Sequence, residues 1–302
     1  IFSEQPKDES AKKAIINLLK EEEKNDVQKF SEDKLTIPFE WTLGSYRLKE
    51  PDSVMDKDGM KNSASEFQMF AEKIDDWVNS IDMIKTVAKE KRIYVFFKGP
   101  LPLAFYLGNS LQNKKFFLGK WTNNRYELLG VRNSGEDVEQ PFQVDSYDLK
   151  KINVDCEKYM EFKQEVIDEN GDPYSFDVYV ALGHHENLTG FSKINILDER
   201  SQRAKTALII KRKVTSKEEP VAVSDIPFSD YVNYAVCVSN KIKALCGSSE
   251  RCDTINLFLN APVEIAILLG YMLRPPPVIY VYHFINVPKN SFYYSVLKLT
   301  KK

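Results

Sequence analysis

Several residue types are scarce in this sequence, and each shortage narrows what the protein can be. The 302 residues include 4 cysteines and 3 histidines. Four cysteines are too few for a disulfide scaffold of this size, and without a secretory signal a reducing cytoplasm is the expected compartment. The cysteines also lack a Cys-x-x-Cys pair, so a structural zinc site is not expected.

Charge of one sign is not in excess, and long apolar runs are missing. The 42 Lys and Arg residues nearly balance the 44 Asp and Glu residues, for a net charge of −2. This balance excludes a protein that coats nucleic acid by counterion release, because such a protein needs a strongly basic surface. A local basic pocket remains compatible with it. The longest apolar stretch, 263–273, contains Glu264 and is shorter than the ~20 residues that cross a bilayer, so no membrane association is expected.

The common catalytic motifs are also absent. The sequence has no Walker-type phosphate loop, no Gly-x-Gly-x-x-Gly and no Gly-x-Ser-x-Gly, motifs that mark many nucleotide-binding and hydrolytic enzymes. The pair His184-His185 is the one arrangement that suggests acid–base chemistry. We therefore expect this chain to have no active site of its own. One alternative stays open, in which the two histidines act on a bound nucleotide.

What is present begins with a charged leader. The chain starts at Ile1 rather than at a Met, and its first 33 residues hold nine acidic and six basic residues. Such a composition is typical of a solvated helix or linker. We expect residues 1–33 to be such a helix or linker entering the first domain, and the given sequence to be a fragment of something longer.

From residue 34 onward, strand and helix patterns alternate. Apolar runs that end in turn residues predict buried strands, and apolar residues at three- and four-residue spacing predict amphipathic helices. The predicted strands are 35–43, 93–97, 116–121, 126–131, 142–154, 176–182, 207–210, 255–259, 278–284 and 292–299. The predicted helices lie around 67–88, over 101–111, around 231–245 and over 263–273. This order is typical of an α/β fold with a mainly parallel sheet.

An internal repeat lies within this pattern. With an offset of 162 residues, IYVFFKGPLPLAFYLGNSL (93–111) aligns without a gap on INLFLNAPVEIAILLGYML (255–273). Seven of the nineteen positions are identical, and Pro100/Pro262 and Gly108/Gly270 are among them. The repeat predicts two pseudo-symmetric halves. Because ligands of open parallel sheets bind at the carboxyl ends of the strands, two such halves would build one composite pocket.

The second copy and the strands after it resemble a known family. The segment INLFLNAP (255–262) is followed by Ala266, Leu269-Gly270, the aromatic strand VIYVY (278–282) and FYYSVLKL (292–299). This succession resembles the end of a SAVED domain, and a weaker resemblance extends over residues 34–302. SAVED domains are two fused CARF-like, Rossmann-type halves. The resemblance therefore implies an α/β fold of two pseudo-symmetric CARF-like halves with mainly parallel sheets, at 34–160 and 161–302.

Members of this family are receptors for cyclic oligonucleotide second messengers in bacterial anti-phage defence of the CBASS type. The resemblance implies that this chain binds a cyclic oligonucleotide, with a trinucleotide favoured over a di- or tetranucleotide, and self-associates when it does. No further cofactor is implied. Family members usually carry a fused effector, most often a nuclease, so the resemblance implies that residues 1–33 are a charged linker or helix from a missing N-terminal effector. The full-length protein is therefore expected to be an endonuclease effector that contacts DNA through a domain absent from this sequence.

A cyclic oligonucleotide needs cations and helix N-termini for its phosphates and aromatic faces for its bases. Candidate residues follow the predicted strands of both halves. In the first half they are Trp41, Thr42, Gly44, Ser45, Lys98, Gly99, Pro100, Leu101, Lys120, Trp121 and Arg125. In the second half they are Gly183, His184, His185, Lys211 (within Lys211-Arg212-Lys213), Asn260, Ala261, Pro262 and Tyr282. The change from Lys98-Gly99 to Asn260-Ala261 predicts an asymmetric pocket.

Two other functions stay open at this point. The first is a ring nuclease or nucleotide hydrolase that uses His184 and His185. The second is a scaffold domain that binds no nucleotide. Retention of an intact cyclic ligand after incubation would separate the receptor from the nuclease, and the absence of any thermal shift would identify the scaffold.

Overall fold

The structure, a computed structural model, describes most of the chain between residues 57 and 300 and two short strands before it. The described residues are 2–3, 41–42, 57–87, 93–122, 125–131, 140–182, 195–197, 203–213, 226–248, 251–274, 278–285 and 292–300. Within these ranges, no helix combines the length and the apolar character needed to cross a membrane. The charged leader predicted at 1–33 lies outside the described residues, apart from the strand at 2–3.

The first part of the fold packs helices on a small sheet. Its elements are β1 (Phe2–Ser3), β2 (Trp41–Thr42), α1 (Lys57–Val87), β3 (Tyr94–Phe96), α2 (Leu101–Ser110), β4 (Phe116–Thr122), β5 (Arg125–Leu128), β6 (Gly130–Val131), β7 (Gln140–Pro141), β8 (Gln143–Val144) and α3 (Ser146–Lys151). β3 and β4 run parallel, whereas β5 and β8 each pair antiparallel with β4. The apolar stripe of α1 is buried at Phe67, Phe70, Ile74 and Trp77, as its spacing predicts.

The second part is a seven-stranded sheet with helices against it. Its elements are α4 (Cys156–Tyr159), β9 (Met160–Val166), β10 (Asp172–Ala181), β11 (Asn195–Leu197), β12 (Ala204–Arg212), a 3₁₀ turn (Phe228–Asp230), α5 (Tyr231–Ser248), β13 (Thr254–Asn260), α6 (Val263–Met272), β14 (Val278–Ile285) and β15 (Phe292–Thr300). The strand order is β11-β15-β14-β13-β10-β12-β9. The four middle strands run parallel, while β9 pairs antiparallel with β12 and β15 pairs antiparallel with β14.

The two parts repeat one unit. In each, a parallel strand pair is joined by a helix and followed by an antiparallel strand: β3-α2-β4-β5 and β13-α6-β14-β15. Each unit is preceded by a longer helix, α1 in the first and α5 in the second. The predicted α/β fold with two repeated halves is thereby confirmed. Among the described strands, the larger sheet is mainly parallel as expected, whereas the smaller sheet has one parallel and two antiparallel pairings.

The helices of the two units pack directly on each other through a pair of repeated glycines. A Cβ added to Gly108 of α2 would collide with the carbonyl oxygen of Ile267 in α6, and one added to Gly270 would collide with the carbonyl oxygen of Phe105. Phe105 and Ile267 occupy equivalent positions of the repeat, so the contact is reciprocal. Glycine is required at both positions because the two backbones approach too closely for any side chain.

The ends of these two helices are also tied together. Gln112, just after α2, donates from Nε2 to the carbonyl oxygens of Gly270 and Leu273, at 3.3 and 3.0 Å. The Tyr271 hydroxyl donates to the carbonyl oxygen of Lys114 at 2.9 Å. Because their C-terminal ends lie side by side, α2 and α6 run in the same general direction.

Three local features differ from the sequence-based expectations. Residues 142–154 form the short strand β8 and then the helix α3, not a continuous β segment. The antiparallel edge strand β9 has no counterpart among the predicted strands. Cys156 and Cys237 are joined by a disulfide between α4 and α5, although the low cysteine count predicts reduced thiols.

Candidate functional site

The candidate site lies where the carboxyl end of β4, from the first half, meets the N-terminal ends of α5 and α6, from the second. α5 follows β12 and α6 follows β13, so both helices begin on the side of the large sheet where its parallel strands end. Lys120, near the end of β4, donates a hydrogen bond from Nζ to the hydroxyl oxygen of Tyr231, the first residue of α5, at 3.1 Å. The carboxyl end of β4 in the first half therefore meets the beginning of α5 in the second half, at the edge where the parallel strands of the large sheet end.

Aromatic rings surround the Lys120 ammonium group. Its Nζ lies 4.7 Å from the ring centroid of Phe228 and 4.7 Å from that of Tyr231, and the two rings meet edge to face at 5.0 Å. Cations over aromatic faces are attracted by the ring quadrupole. The arrangement combines a fixed cation with aromatic surface, the two features that a nucleotide requires.

Glu264, in the first turn of α6, adds an acid to this place. Burial raises the pKa of the Glu264 carboxyl, while a hydrogen bond from its own backbone amide and the charge of Lys120 act to lower it. Burial, followed by the charge of Glu264, raises the pKa of the Tyr231 hydroxyl. Lys120, Phe228 and Tyr231 are thus in direct contact, and the charge of Glu264 acts on the Tyr231 hydroxyl; we call these four residues the junction cluster.

Arg212, the last residue of β12, interacts with Tyr234, which follows Tyr231 by one turn of α5. Burial raises the pKa of the Tyr234 hydroxyl, the charge of Arg212 and a hydrogen bond with it act to lower that pKa, and the charge of Asp230 adds to the rise. Tyr159 packs edge-on against Tyr234, with 5.4 Å between the ring centroids. The Nη1 nitrogen of Arg212 is buried and has no hydrogen-bond partner. A buried guanidinium nitrogen costs free energy until an acceptor such as a phosphate oxygen binds it.

The structure separates Arg212 from the predicted candidate Lys211. Successive residues of a strand face opposite sides of the sheet. Ile210 belongs to the main core, whereas Ile209 belongs to the smaller core cluster on the other face. Arg212 therefore lies on the face that carries α5 and the junction cluster, and Lys211 lies on the opposite face.

The repeated strand-to-helix turns hold seven of the predicted residues. Lys98 is exposed, and Gly99, Pro100 and Leu101 are partly exposed where β3 leads into α2. In the second turn Asn260 is partly exposed, while Ala261 and Pro262 are buried. The N-terminal turn of α2 contains no acid, whereas that of α6 contains Glu264. The two turns therefore differ in charge through Glu264, in addition to the change from Lys98 to Asn260 on which the predicted asymmetry rests.

Other predicted residues fall in the core or outside the described part. Tyr282 is 2% exposed and stacks on Phe258 with 4.4 Å between the ring centroids, so its ring has no free face for a base. The backbone of Trp41, Thr42, Trp121 and Arg125 is described, but their side chains are not. Gly44, Ser45, Gly183, His184 and His185 lie outside the described residues.

Sequence reasoning misses three residues of the junction cluster. Its pattern places Tyr231 on the buried face of a helix, gives no role to Phe228 and treats Glu264 only as an interruption of an apolar run. Glu264 does have a signal in the sequence, because the repeat aligns it with Pro102. An acid at a position where its partner copy is apolar marks a difference between the halves.

The polar groups of the site are of the kind that binds an anion rather than a metal ion. Among the side chains that the structure describes, no group of three or more His, Cys, Asp or Glu residues is arranged to hold a metal ion. The described groups of the site are instead cations, aromatic rings, hydroxyls and the two acids Asp230 and Glu264. They suit the binding of an anionic, base-containing molecule.

No family model matches the sequence, and no curated protein matches it either. Solved structures do match. One is the Cap4 SAVED/CARF-domain containing receptor of Acinetobacter baumannii with the cyclic trinucleotide 3'3'3'-cAAA, with a TM-score of 0.51 and 13% identity over 78% of this chain and 44% of that chain. Another is the same receptor with 2'3'3'-cAAA, with a TM-score of 0.50 and 14% identity over 84% of this chain and 46% of that chain.

At these identities the likeness concerns the fold. This chain has the fold of a SAVED/CARF domain, as the strand, proline and Leu-Gly pattern of its second repeat predicts. It spans less than half the length of the receptors that it matches.

Proposed function

We propose that this chain is the sensor of a CBASS-type anti-phage system and binds a cyclic oligonucleotide, preferably a cyclic trinucleotide. The contact between Lys120 and Tyr231 carries the proposal. It joins the strand ends of two pseudo-symmetric halves around a cation and aromatic rings. The shared fold supports it, since the Acinetobacter baumannii receptors with that fold hold cyclic trinucleotides.

Different residues of the site would contact the phosphates and the bases of the ligand. Lys98, at the start of α2, and Arg212, whose Nη1 has no partner, would contact phosphates. The free backbone amides at the start of α2 would add to this, because helix N-termini favour anions. The ring of Phe228, which is half-buried, would contact a base, a type of contact worth about 1–3 kcal/mol, whereas the buried ring of Tyr231 would hold Lys120 in place.

We further propose that ligand binding promotes self-association and that this association activates an effector joined to the N-terminal side of the chain. A DNA endonuclease is the proposed effector, and the cytoplasm is the proposed compartment. A ligand drives such a change only when it binds the associated state more tightly than the free state. Contacts from both halves to one ring would provide that difference if association brings the halves closer.

Thermal unfolding with a panel of ligands tests the receptor function. The panel contains cyclic di-, tri- and tetranucleotides of A, C, G and U with 3'–5' linkages, and cyclic triadenylate with one 2'–5' linkage. We expect a saturable rise in Tm with at least one ring, largest for a trinucleotide. No shift with any member overturns the proposal. Chromatography of the ligand after long incubation should recover it intact.

A matched pair of lysine variants tests the site. Lys98→Met removes an exposed cation at the start of α2. Lys241→Met removes an exposed cation on α5, about 15 Å along the helix axis from Tyr231 at 1.5 Å of rise per residue. A charge-assisted hydrogen bond contributes about 1.5–3 kcal/mol, so Lys98→Met should weaken binding by about tenfold or more, with the Tm of the free protein unchanged. Lys241→Met should bind like the wild type. Equal affinity of the two variants would exclude Lys98 from the site.

A further inference from the structure

Two cysteines that lie away from the candidate site are in direct contact. Cys246, in the last turn of α5, and Cys252, two residues before β13, are both free thiols, and their Sγ atoms lie 2.7 Å apart. α5 begins at the candidate site with Tyr231, and Cys246 follows fifteen residues later, about 22 Å along the helix axis at 1.5 Å of rise per residue. The thiol pair is therefore separate from the proposed ligand site.

The fold anchors both ends of this contact. Leu245, next to Cys246, is buried in the main core and fixes the last turn of α5. On the other side, the backbone amide of Asp253 donates to the carbonyl oxygen of Tyr174, in β10, at 3.0 Å. Cys252 directly precedes Asp253 and is held in place by it. The two sulfur atoms thus meet because a helix end and a strand start hold them together.

The pair combines partial exposure with two unequal thiols. Both cysteines are partly exposed, so a small molecule can reach them, whereas Cys237 of the existing disulfide is 1% exposed. A hydrogen bond with Cys252 lowers the pKa of the Cys246 thiol against the effect of burial. The same hydrogen bond, together with burial, raises the pKa of Cys252. Because the thiolate is the nucleophile of cysteine chemistry, Cys246 is the more reactive sulfur of the two.

We propose that Cys246 and Cys252 form a redox modification site, at which hydrogen peroxide or a similar small peroxide converts the two thiols into a disulfide. The two sulfur atoms are already almost at bonding distance, because they need to approach by less than about 1 Å to reach the ~2.05 Å of a disulfide bond. The proposal does not depend on the proposed function, since it concerns the opposite end of α5.

The reaction has two steps. In the first, the Cys246 thiolate attacks the peroxide, so that an S–O bond forms, the O–O bond breaks, and the hydroxide that leaves takes up the proton lost by Cys246. In the second, the Cys252 sulfur attacks the resulting sulfenic acid, so that the S–S bond forms and the S–O bond breaks. The hydroxyl group then leaves as water with the proton of Cys252. Two thiols have lost two electrons, and hydrogen peroxide has become two molecules of water.

This disulfide would be easier to reduce than the one between α4 and α5. It joins cysteines six residues apart, whereas Cys156 and Cys237 are 81 residues apart. A shorter closed loop restricts the unfolded chain less, and exposed disulfides are the more readily reduced ones. We therefore expect glutathione to return Cys246 and Cys252 to thiols, so that the modification is reversible.

Peptide mapping of the whole chain tests the proposal. The protein is incubated with glutathione, freed of it, treated with hydrogen peroxide, alkylated with N-ethylmaleimide and digested with trypsin. Arg251 lies between the two cysteines, so trypsin separates them unless a disulfide links the two peptides. Without peroxide we expect maleimide on both cysteines. With peroxide we expect linked peptides that begin at Ala244 and Cys252, and glutathione added afterwards should restore both maleimide adducts.

Single variants separate the roles of the two sulfurs. In Cys252→Ser the sulfenic acid of Cys246 has no thiol beside it, so dimedone should trap it. In Cys246→Ser the remaining thiol should react with peroxide more slowly than Cys246 does in Cys252→Ser, by about tenfold or more, because the thiolate is the reactive form. Cys156→Ser/Cys237→Ser is the control, and it should form the same linked peptides as the wild type.

The peptide map of the wild type decides the proposal even if a variant does not fold. Maleimide on both cysteines after peroxide treatment, or a link that forms only between two chains, overturns it. Linked peptides that glutathione does not reduce contradict the reversibility, and equal peroxide rates in the two single variants contradict the role of Cys246 as nucleophile. A failure of nucleotide binding would leave all of these results unchanged.

Discussion

Glu264 and Tyr282 show how differently single residues near the strand ends are used. Glu264 follows the apolar strand β13 and Tyr282 lies within the apolar strand β14, and both have polar groups that suit a ligand site. Tyr282 is packed against Phe258 in the core, whereas Glu264 lies with Lys120 and Tyr231 at the junction of the halves. Sequence spacing places both near the strand ends, but the face of the sheet and the packing of α5 decide which of them can reach a ligand.

The raised pKa of Glu264 predicts a specific pH dependence of stability. Because burial raises this pKa above its ordinary value of 4.5, the folded state binds the proton more tightly than the unfolded state does. The stabilisation is fully present below pH 4.5 and is lost as the pH rises through the folded-state pKa. Glu264→Gln removes the cost of the buried charge, so its Tm relative to the wild type should be higher at pH 8 than at pH 4.5.

Thermal unfolding at both pH values checks this prediction. Glu169→Gln serves as the control because Glu169 is exposed in a turn, and its Tm difference from the wild type should stay constant with pH. A Tm difference for Glu264→Gln that is the same at pH 4.5 and pH 8 would contradict the assignment of a buried, destabilised charge.

At the scale of elements, the reciprocal packing of α2 and α6 is the feature most open to test. Gly108→Ala and Gly270→Ala should each lower the free energy of unfolding by about 1–3 kcal/mol or more, because each Cβ forces two backbones apart. The double variant should lose less free energy of unfolding than the two single variants lose together. The first substitution already moves the two helices apart, so the second one meets less steric conflict.

Gly247→Ala is the matched control for this pair. Gly247 lies near the end of α5, and a Cβ added there meets nothing within 4 Å. Alanine favours a helix over glycine by about 0.8–1 kcal/mol, so Gly247→Ala should be neutral or stabilising. Denaturant unfolding measures all four variants. A Gly108→Ala variant as stable as the control would show that the two helices do not meet at the repeated glycines.

The link between α4 and α5 gives a second prediction at this scale. The Cys156–Cys237 disulfide spans 81 residues of sequence, and closing a loop of that size stabilises a fold by about 4 kcal/mol when the constraint acts on the unfolded chain. A reductant should therefore lower the free energy of unfolding of the oxidised protein. Cys156→Ser/Cys237→Ser should lose this response, and Cys246→Ser should keep it. A free energy of unfolding that is the same with and without reductant would show that the Cys156–Cys237 disulfide does not form in solution.

The elements that the sequence predicts correctly have stronger local patterns of apolar and turn residues than the elements that it does not predict. The repeated strand and helix units at 93–111 and 255–273 have long apolar runs and sharp proline turns, and both form as predicted. The segment 142–154 alternates briefly at Phe142 and Val144, which suggests a strand, but an acid and two lysines suit a short helix at 146–151. β9 escapes prediction because an edge strand replaces apolar residues with charged ones.

For the whole molecule, duplication explains most of what the sequence could predict. One repeat of nineteen residues, with its seven identities, indicates two halves, and the reciprocal Gly108 and Gly270 contacts show how the halves join. The pairing of the outer strands and the approach of Lys120 to α5 depend on contacts distant in sequence. No local sequence pattern reveals these contacts, so the junction cluster could be identified only from the structure.

One titration tests the central claim, that two pseudo-symmetric halves build a single receptor site, most directly. Isothermal titration of the protein with the ring that raises its Tm most in the panel gives the number of ligands bound per chain. A composite site predicts one cyclic oligonucleotide per chain, with binding weakened by Lys98→Met in one half and by Arg212→Met in the other. Two ligands per chain, or binding that only one of these variants weakens, would contradict a site shared by the two halves.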